Sequence, residues 1–235
     1  MGYSENFYIG YSNVNKDLEL SDSGILKIFE DIATMHSEAA GDGMRDTDSR
    51  WFLTSYKVKI NKRPVLSEKV KCTTWSRDMK GFTASREFEI YNSLGEISIC
   101  GLSNWARIDT KTGKLERLTH ELGKRYGMEK DRANFESPWI SKIKEPDEYQ
   151  ITKDYYIDRN FIDSNNHMNN VCYLDLAKCI LPDSVYEKPA EGFEIIYRKA
   201  VMYGTTVKCC YGTDGKSHTV AIQCDNEVMA IVKFY

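Results

Sequence analysis

No stretch of this 235-residue chain approaches the roughly 18 consecutive apolar residues that a membrane span needs. The opening residues, through "FYIGYSNVN", show no basic segment followed by an apolar one, so the reading includes no signal peptide, transit peptide or anchor. Positive charge is not in excess either, with a net charge of −3, which argues against a nucleic-acid binder. The seven cysteines form no C-x-x-C pair, and an odd count without a framework reads as reduced thiols in a cytoplasmic protein. What is present is 41% hydrophobic and 29% charged residues, the balance of a globular chain long enough for one large or two small domains.

Periodicity predicts two helices among many strands. From Gly24 to Ala40 the residues Ile25, Ile28, Phe29, Ile32 and Ala33 fall at helical spacing between Lys27, Glu30, Asp31 and Glu38, behind a cap at Ser21, Asp22 or Ser23. Tyr56, Val58 and Ile60 alternate with Lys57, Lys59 and Asn61, a strand with one wet face. "SREFEIYNSLGEISICGLSNWARID" reads as two strands joined by a turn at Asn92 to Gly95.

The second half repeats this plan. "KVKINKRPVLSEKVK" (57–71) lies over "EIIYRKAVMYGTTVK" (194–208) without a gap, placing Ser67 on Gly204 at the turn. The helix starts align as "SDSGILKIFED" (21–31) over "DSNNHMNNVCY" (163–173), which puts Gly24 and Ile25 opposite Asn166 and His167. Between the copies, 119–149 is charged, poorly periodic and holds two of the five prolines. The expected organisation is a unit at 1–118, a connector at 119–149 and a second unit at 150–235.

The segment Met168 to Ile180 is apolar almost all round and predicts a buried helix. Just before it, Asp163, Asn165 and His167 sit where free N–H groups and the positive helix end can stabilise a developing oxyanion. Each has an ordinary alternative: Asp163 as an N-cap or Asx-turn residue, His167 as a structural histidine, Asn169 and Asn170 as partners of nearby backbone. The contrast between the copies, polar here and apolar at Gly24 and Ile25, is what a duplicated fold with one working site would show.

"DRNFIDSNNHMNNVCYLDLA" resembles the active-site segment of the acyl-acyl-carrier-protein thioesterases, D-x-N-x-H-x-N-N-x-x-Y, at Asp163, Asn165, His167, Asn169, Asn170 and Tyr173. The first half adds the family's features at Trp51, Pro64, Arg86, Phe88, Gly95, Glu96, Trp105, Asp109 and Gly113. The resemblance implies an α+β double hotdog, each unit a long helix wrapped by a curved antiparallel sheet, that hydrolyses fatty acyl thioesters and so ends chain elongation. Plant members carry Glu after the Y-R-[KR] triplet, often followed by Cys, whereas "IIYRKAVMYG" has Ala200 and Val201. The set that carries over is Asp163, Asn165 and His167.

A thioester is electrophilic enough for positioned water, a base and an oxyanion site, without metal or cofactor. Asp163 is the first choice for activating water, with Asn165 positioning it and His167 orienting its neighbours or protonating the thiolate. Backbone N–H groups of Met168, Asn169 and Asn170 are the expected oxyanion site. A nucleophilic Cys172 is the rival, set against its reading as a small core hydrophobe. The acidic carrier calls for a basic landing surface, for which Lys57, Lys59, Lys62, Arg63, Arg198 and Lys199 are candidates. A coenzyme A thioesterase and a non-catalytic acyl-binding protein remain alternatives, and a homodimer is compatible with each.

Overall fold

The spacing that predicts the first helix is met by α1, Asp22–Ala39, in a computed structural model that describes residues 2–235. Ser21 is its cap, with Oγ accepting from the Gly24 N–H at 3.0 Å. Ile25, Leu26, Phe29 and Ile32 are fully buried, and the apolar face ends at His36. A strand glycine lets this face reach the sheet: a Cβ on Gly101 would lie 2.3 Å from the Phe29 ring.

The sheet of the first unit, which ends at Ile140, is antiparallel and ordered β1-β3-β4-β5-β2. Its strands are β1 Tyr3–Tyr8, β2 Ser49–Ile60, β3 Lys69–Lys80, β4 Thr83–Tyr91 and β5 Ile97–Asp109. Tyr56 and Val58 are buried and Lys59 is exposed, as alternation predicts. The β4–β5 turn forms at Asn92–Gly95, where the Asn92 Oδ1 accepts from the N–H groups of Leu94 and Glu96 and Gly95 takes φ 80°.

Of the segment expected as a connector, 119–140 belongs to this unit and carries α2, His120–Arg125. It is tied to the sheet by polar contacts that alternation alone does not reveal. Asn104 donates to the Pro138 carbonyl (2.8 Å) and accepts from the Ile140 N–H (2.8 Å), and Arg132 stacks on Trp75 at 3.8 Å. Glu87, wholly buried, accepts from Arg77 and from the Asn134 N–H, both at 2.6 Å. This cover explains charged residues on strands without a wet face.

The second unit, Ser141–Tyr235, repeats the plan in the order β7-β10-β9-β8-β6. Its elements are β6 Ile151–Tyr156, α3 Asn170–Lys178, α4 Asp183–Tyr186, β7 Gly192–Tyr197, β8 Thr206–Thr213, β9 His218–Cys224 and β10 Glu227–Phe234. Each unit is a hotdog, so the chain is the α+β double hotdog. Among the described residues no helix is long and apolar enough to cross a membrane.

Register fixes the correspondence between the units. Tyr8 pairs with Lys69 as Tyr156 pairs with Thr206, and Ser67 (φ 69°) and Gly204 (φ 80°) hold the same turn, as the sequence alignment of the sheets places them. The helix alignment needs correction, because the helix starts correspond as Asp22 with Asn170. The counterparts of Asn166 and His167 are Leu18 and Glu19, not Gly24 and Ile25. Helix α3 is also shorter than the predicted Met168–Ile180: Asn169 caps it, accepting from the Val171 N–H at 2.9 Å, and Met168 lies in extended backbone before it.

Candidate active site

Asp163 to Asn169 is a closed loop. The Asp163 N–H donates to the His167 carbonyl (2.9 Å) and the Asn166 N–H to the Asp163 carbonyl (3.1 Å). The Asp163 Oδ1 accepts from the Asn165 N–H at 2.7 Å, an Asx-turn, and Asn166 takes φ 62°, which asparagine tolerates better than most residues. Short amide and carboxylate side chains therefore build the loop itself. The ordinary reading of Asp163 as a turn residue holds, yet only one carboxylate oxygen is used for it. Among the described residues, no hydrogen bond engages the Asp163 Oδ2, the Asn165 side-chain amide or the His167 ring. The structure thus collects the three residues in one loop, with Asn165 exposed and Asp163 and His167 half-buried.

The first unit holds the same loop with different chemistry. The Asn15 N–H donates to the Glu19 carbonyl (2.8 Å), the Leu18 N–H to the Asn15 carbonyl (3.1 Å), and the Asn15 Oδ1 accepts from the Asp17 N–H (3.0 Å). Asn15, Asp17 and Glu19 stand where Asp163, Asn165 and His167 stand. The backbone is duplicated and the side-chain set is not.

The expected oxyanion amides are corrected by their bonding. The Met168 N–H donates to the Val201 carbonyl and the Asn169 N–H to the Phe161 carbonyl, both at 2.8 Å, so neither is available to a substrate. Asn170 keeps the remaining N–H of the three, at the first position of α3, where the helix dipole favours negative charge.

Two tyrosines support the loop. The Tyr173 hydroxyl, on a side chain only 3% exposed, accepts from the Val201 N–H at 3.0 Å, and burial pushes its pKa up to about 12. The Tyr197 hydroxyl donates to the Asn170 carbonyl at 3.0 Å, and the two rings meet edge to face at 5.4 Å. Neither contact was expected, although Tyr173 lies in the quoted motif and Tyr197 begins "YRK". The clue was Pro64 opposite Val201, one residue without an N–H and one with it. Ala200, at the position of the plant Glu, is exposed.

Of the docking candidates, Lys59 and Lys62 are exposed, and Lys57 is half-buried with its ammonium 5.8 Å from the Phe135 ring centre. Arg63 must be withdrawn. It bonds the Leu20 carbonyl (2.8 Å) and pairs with Asp22 at 2.6 Å, the two side chains being 7% and 3% exposed. Arg198 pairs with Glu145 (3.6 Å) and Lys199 with Glu227 (2.6 Å), contacts on exposed side chains that solvent weakens. None of the seven cysteines is joined in a disulfide, and Cys172 is half-buried on α3.

A helix on an antiparallel sheet, made twice and carrying one D-x-N-x-H loop, places the protein among the double hotdog proteins. Residues 1–126 match the acyl-ACP thioesterase N-terminal domain and 144–231 the acyl-ACP thioesterase C-terminal domain. The chain belongs to the acyl-ACP thioesterase family. It is 24% identical over 213 residues to the chloroplastic acyl-[acyl-carrier-protein] hydrolase FATB3 of Cuphea viscosissima, covering 85% of this chain and 52% of that protein. It is 20% identical over 206 residues to the chloroplastic oleoyl-acyl carrier protein thioesterase 1 of Arabidopsis thaliana, covering 80% and 57%. The chain therefore spans little more than half the length of these relatives. Its fold is shared with the 12:0-ACP thioesterase from Umbellularia californica (TM-score 0.86, 18% identity, 99% and 96% of the two chains). An acyl-ACP thioesterase from Bacteroides thetaiotaomicron is equally similar (TM-score 0.87, 19% identity, 99% and 96%).

Proposed function

We propose that this protein hydrolyses fatty acyl thioesters of acyl carrier protein, releasing free fatty acid and ending chain elongation. The observation that carries the reading is the second loop. It has the backbone of the first, but Asp163, Asn165 and His167 replace Asn15, Asp17 and Glu19, with the working groups left unengaged among the described residues.

In this reading the Asp163 Oδ2 takes a proton from water as the oxygen attacks the thioester carbonyl. Asn165 positions that water, and the Asn170 N–H receives the developing oxyanion. The C–S bond then breaks, and the thiolate takes up a proton, for which His167 is the nearest candidate in the loop. Lys59 and Lys62, exposed on the first unit, are the carrier-facing charges retained, with Lys57, Arg198 and Lys199 in support. Seven cysteines with no disulfide among them favour a reducing compartment, and we place the protein in the cytoplasm. A homodimer is compatible with this reading, and sedimentation decides it.

Ala200, in place of the plant Glu, favours one competing reading, a protein that holds acyl chains without cleaving them. Incubation with acyl-carrier thioesters of graded chain length, beside acyl-CoA of equal length, separates the cases. Faster release from the carrier substrates supports the proposal, preference for acyl-CoA makes the protein a coenzyme A thioesterase, and bound acyl groups without turnover make it a binding protein.

A further inference from the structure

The two copies of the loop are locked in different ways. In the first unit the strap that crosses the loop is held by the Leu20 N–H on the Pro64 carbonyl (2.7 Å) and by a bridge between Glu19 and Val65. Arg63 then clamps it to the helix start, through the Leu20 carbonyl and the Asp22 carboxylate. In the second unit the backbone ties recur, Met168 N–H on the Val201 carbonyl and His167 bridged to Met202. The clamp does not recur: Ala200 stands for Arg63 and Asn170 for Asp22. Val201 stands for Pro64, which brings a buried N–H that the first unit never had to satisfy.

That N–H is met by the Tyr173 hydroxyl, while the Tyr197 hydroxyl holds the Asn170 carbonyl. The first unit has Ile25 and Ile60 at these two places. Both hydroxyls and the N–H appear together in the second unit, and all three are absent together from the first. We infer that Tyr173 and Tyr197 are positioning residues of the reaction, holding the strap 199–202 and the first turn of α3 from the interior. The helix start, which the Arg63 side chain reaches in the first unit, is thereby left clear for a thioester. Neither tyrosine touches substrate; each acts through the placement of His167 and the Asn170 N–H. The inference rests on the hydrolase reading above.

Its test uses Tyr173→Phe, Tyr197→Phe and the double variant Tyr173→Phe/Val201→Pro, with the acyl-carrier thioester that the parent cleaves fastest. Tyr173→Phe is expected to lower kcat roughly 10- to 100-fold with KM nearly unchanged, the scale of a small misplacement of catalytic groups. Tyr197→Phe should lower kcat in the same direction. Adding Val201→Pro removes the N–H that Tyr173→Phe orphans, as Pro64 does in the first unit, and should restore most of kcat. Amide exchange at Met168 gives a readout independent of turnover: faster in Tyr173→Phe, slow again in the double variant. Parental kcat in Tyr173→Phe overturns the inference, as does a loss that Val201→Pro fails to restore or unchanged exchange at Met168. Should Tyr173→Phe not fold, the double variant decides: folded with near-parental kcat it supports the tie, and otherwise it overturns it. A parent that cleaves no thioester sinks the hydrolase reading by itself, and the exchange measurement then decides the tie alone.

Discussion

Leu18 and Asn166 occupy the same point of two copies of one loop, with φ of 61° and 62°. A left-handed backbone costs most side chains about 1–2 kcal/mol, and asparagine pays less of it than leucine. Leu18 is also 48% exposed, so burial returns little. Leu18→Asn should raise stability by about 1 kcal/mol, read as a higher urea midpoint with an unchanged slope. The reverse exchange, Asn166→Leu, should lower it.

Asp163→Asn is the direct test of the base. The amide oxygen can still accept the Asn165 N–H, so the turn survives, while the basic oxygen is gone. Turnover should fall about 10²- to 10⁴-fold, with circular dichroism unchanged. Cys172→Ser should keep most of the activity, and near-normal turnover by Asp163→Asn would remove Asp163 from the role of base.

The basic residues of the first unit should divide into two kinds. Reversing charge at Lys59 and Lys62 should raise KM for the carrier substrate, with a salt dependence that acyl-CoA does not share. Arg63→Met takes the guanidinium away from the buried Asp22 carboxylate and should cost about 3–5 kcal/mol of stability. An Arg63→Met enzyme as stable as the parent would contradict the buried pair.

Stability should fall in mild acid because of His36. Burial, and secondarily the Arg86 guanidinium 2.8 Å from Nδ1, lowers its pKa from 6.5 to about 3. The folded state stays neutral where the unfolded chain takes up a proton. The contribution is therefore complete above pH 6.5 and is lost, at about 1.4 kcal/mol per pH unit, as pH falls toward 3. His36→Gln, whose side-chain oxygen can still accept from Arg86, should flatten urea-derived stability across that window.

Much of this architecture was legible in the residues. Ile25, Ile28, Phe29 and Ile32 declare a helix by spacing alone, and Asn92–Gly95 a turn by residue type. Ser67 could be set against Gly204 because a turn anchors the alignment at one residue. The helix starts lacked such an anchor, since amphipathic helices match after almost any slip of a turn, and the true equivalence lies in backbone hydrogen bonds. Met168 reads as helical because it is apolar; the Val201 carbonyl that holds it extended is remote in sequence. Arg63 reads as part of a surface run for the same reason, its partner lying 41 residues earlier in the chain. Asp163, Asn165 and His167 could be singled out because their types and spacing are local, and the structure gathers them in one loop. The supporting tyrosines were signalled only indirectly, by Pro64 opposite Val201, because what they support is backbone elsewhere.

The exchange of Pro64 and Ile25 for Val201 and Tyr173 also constrains ancestry. If both units descend from one gene, the pair changed by two separate substitutions, and an intermediate existed between them. Isoleucine with valine would bury an amide with no acceptor, a penalty of about 1–3 kcal/mol that a marginally stable domain carries badly. Tyrosine with proline orphans no amide, since the proline has none to satisfy. Whichever unit preserves the older state, the tolerated route runs through tyrosine beside proline, so the order of the two substitutions was set by a single hydrogen atom.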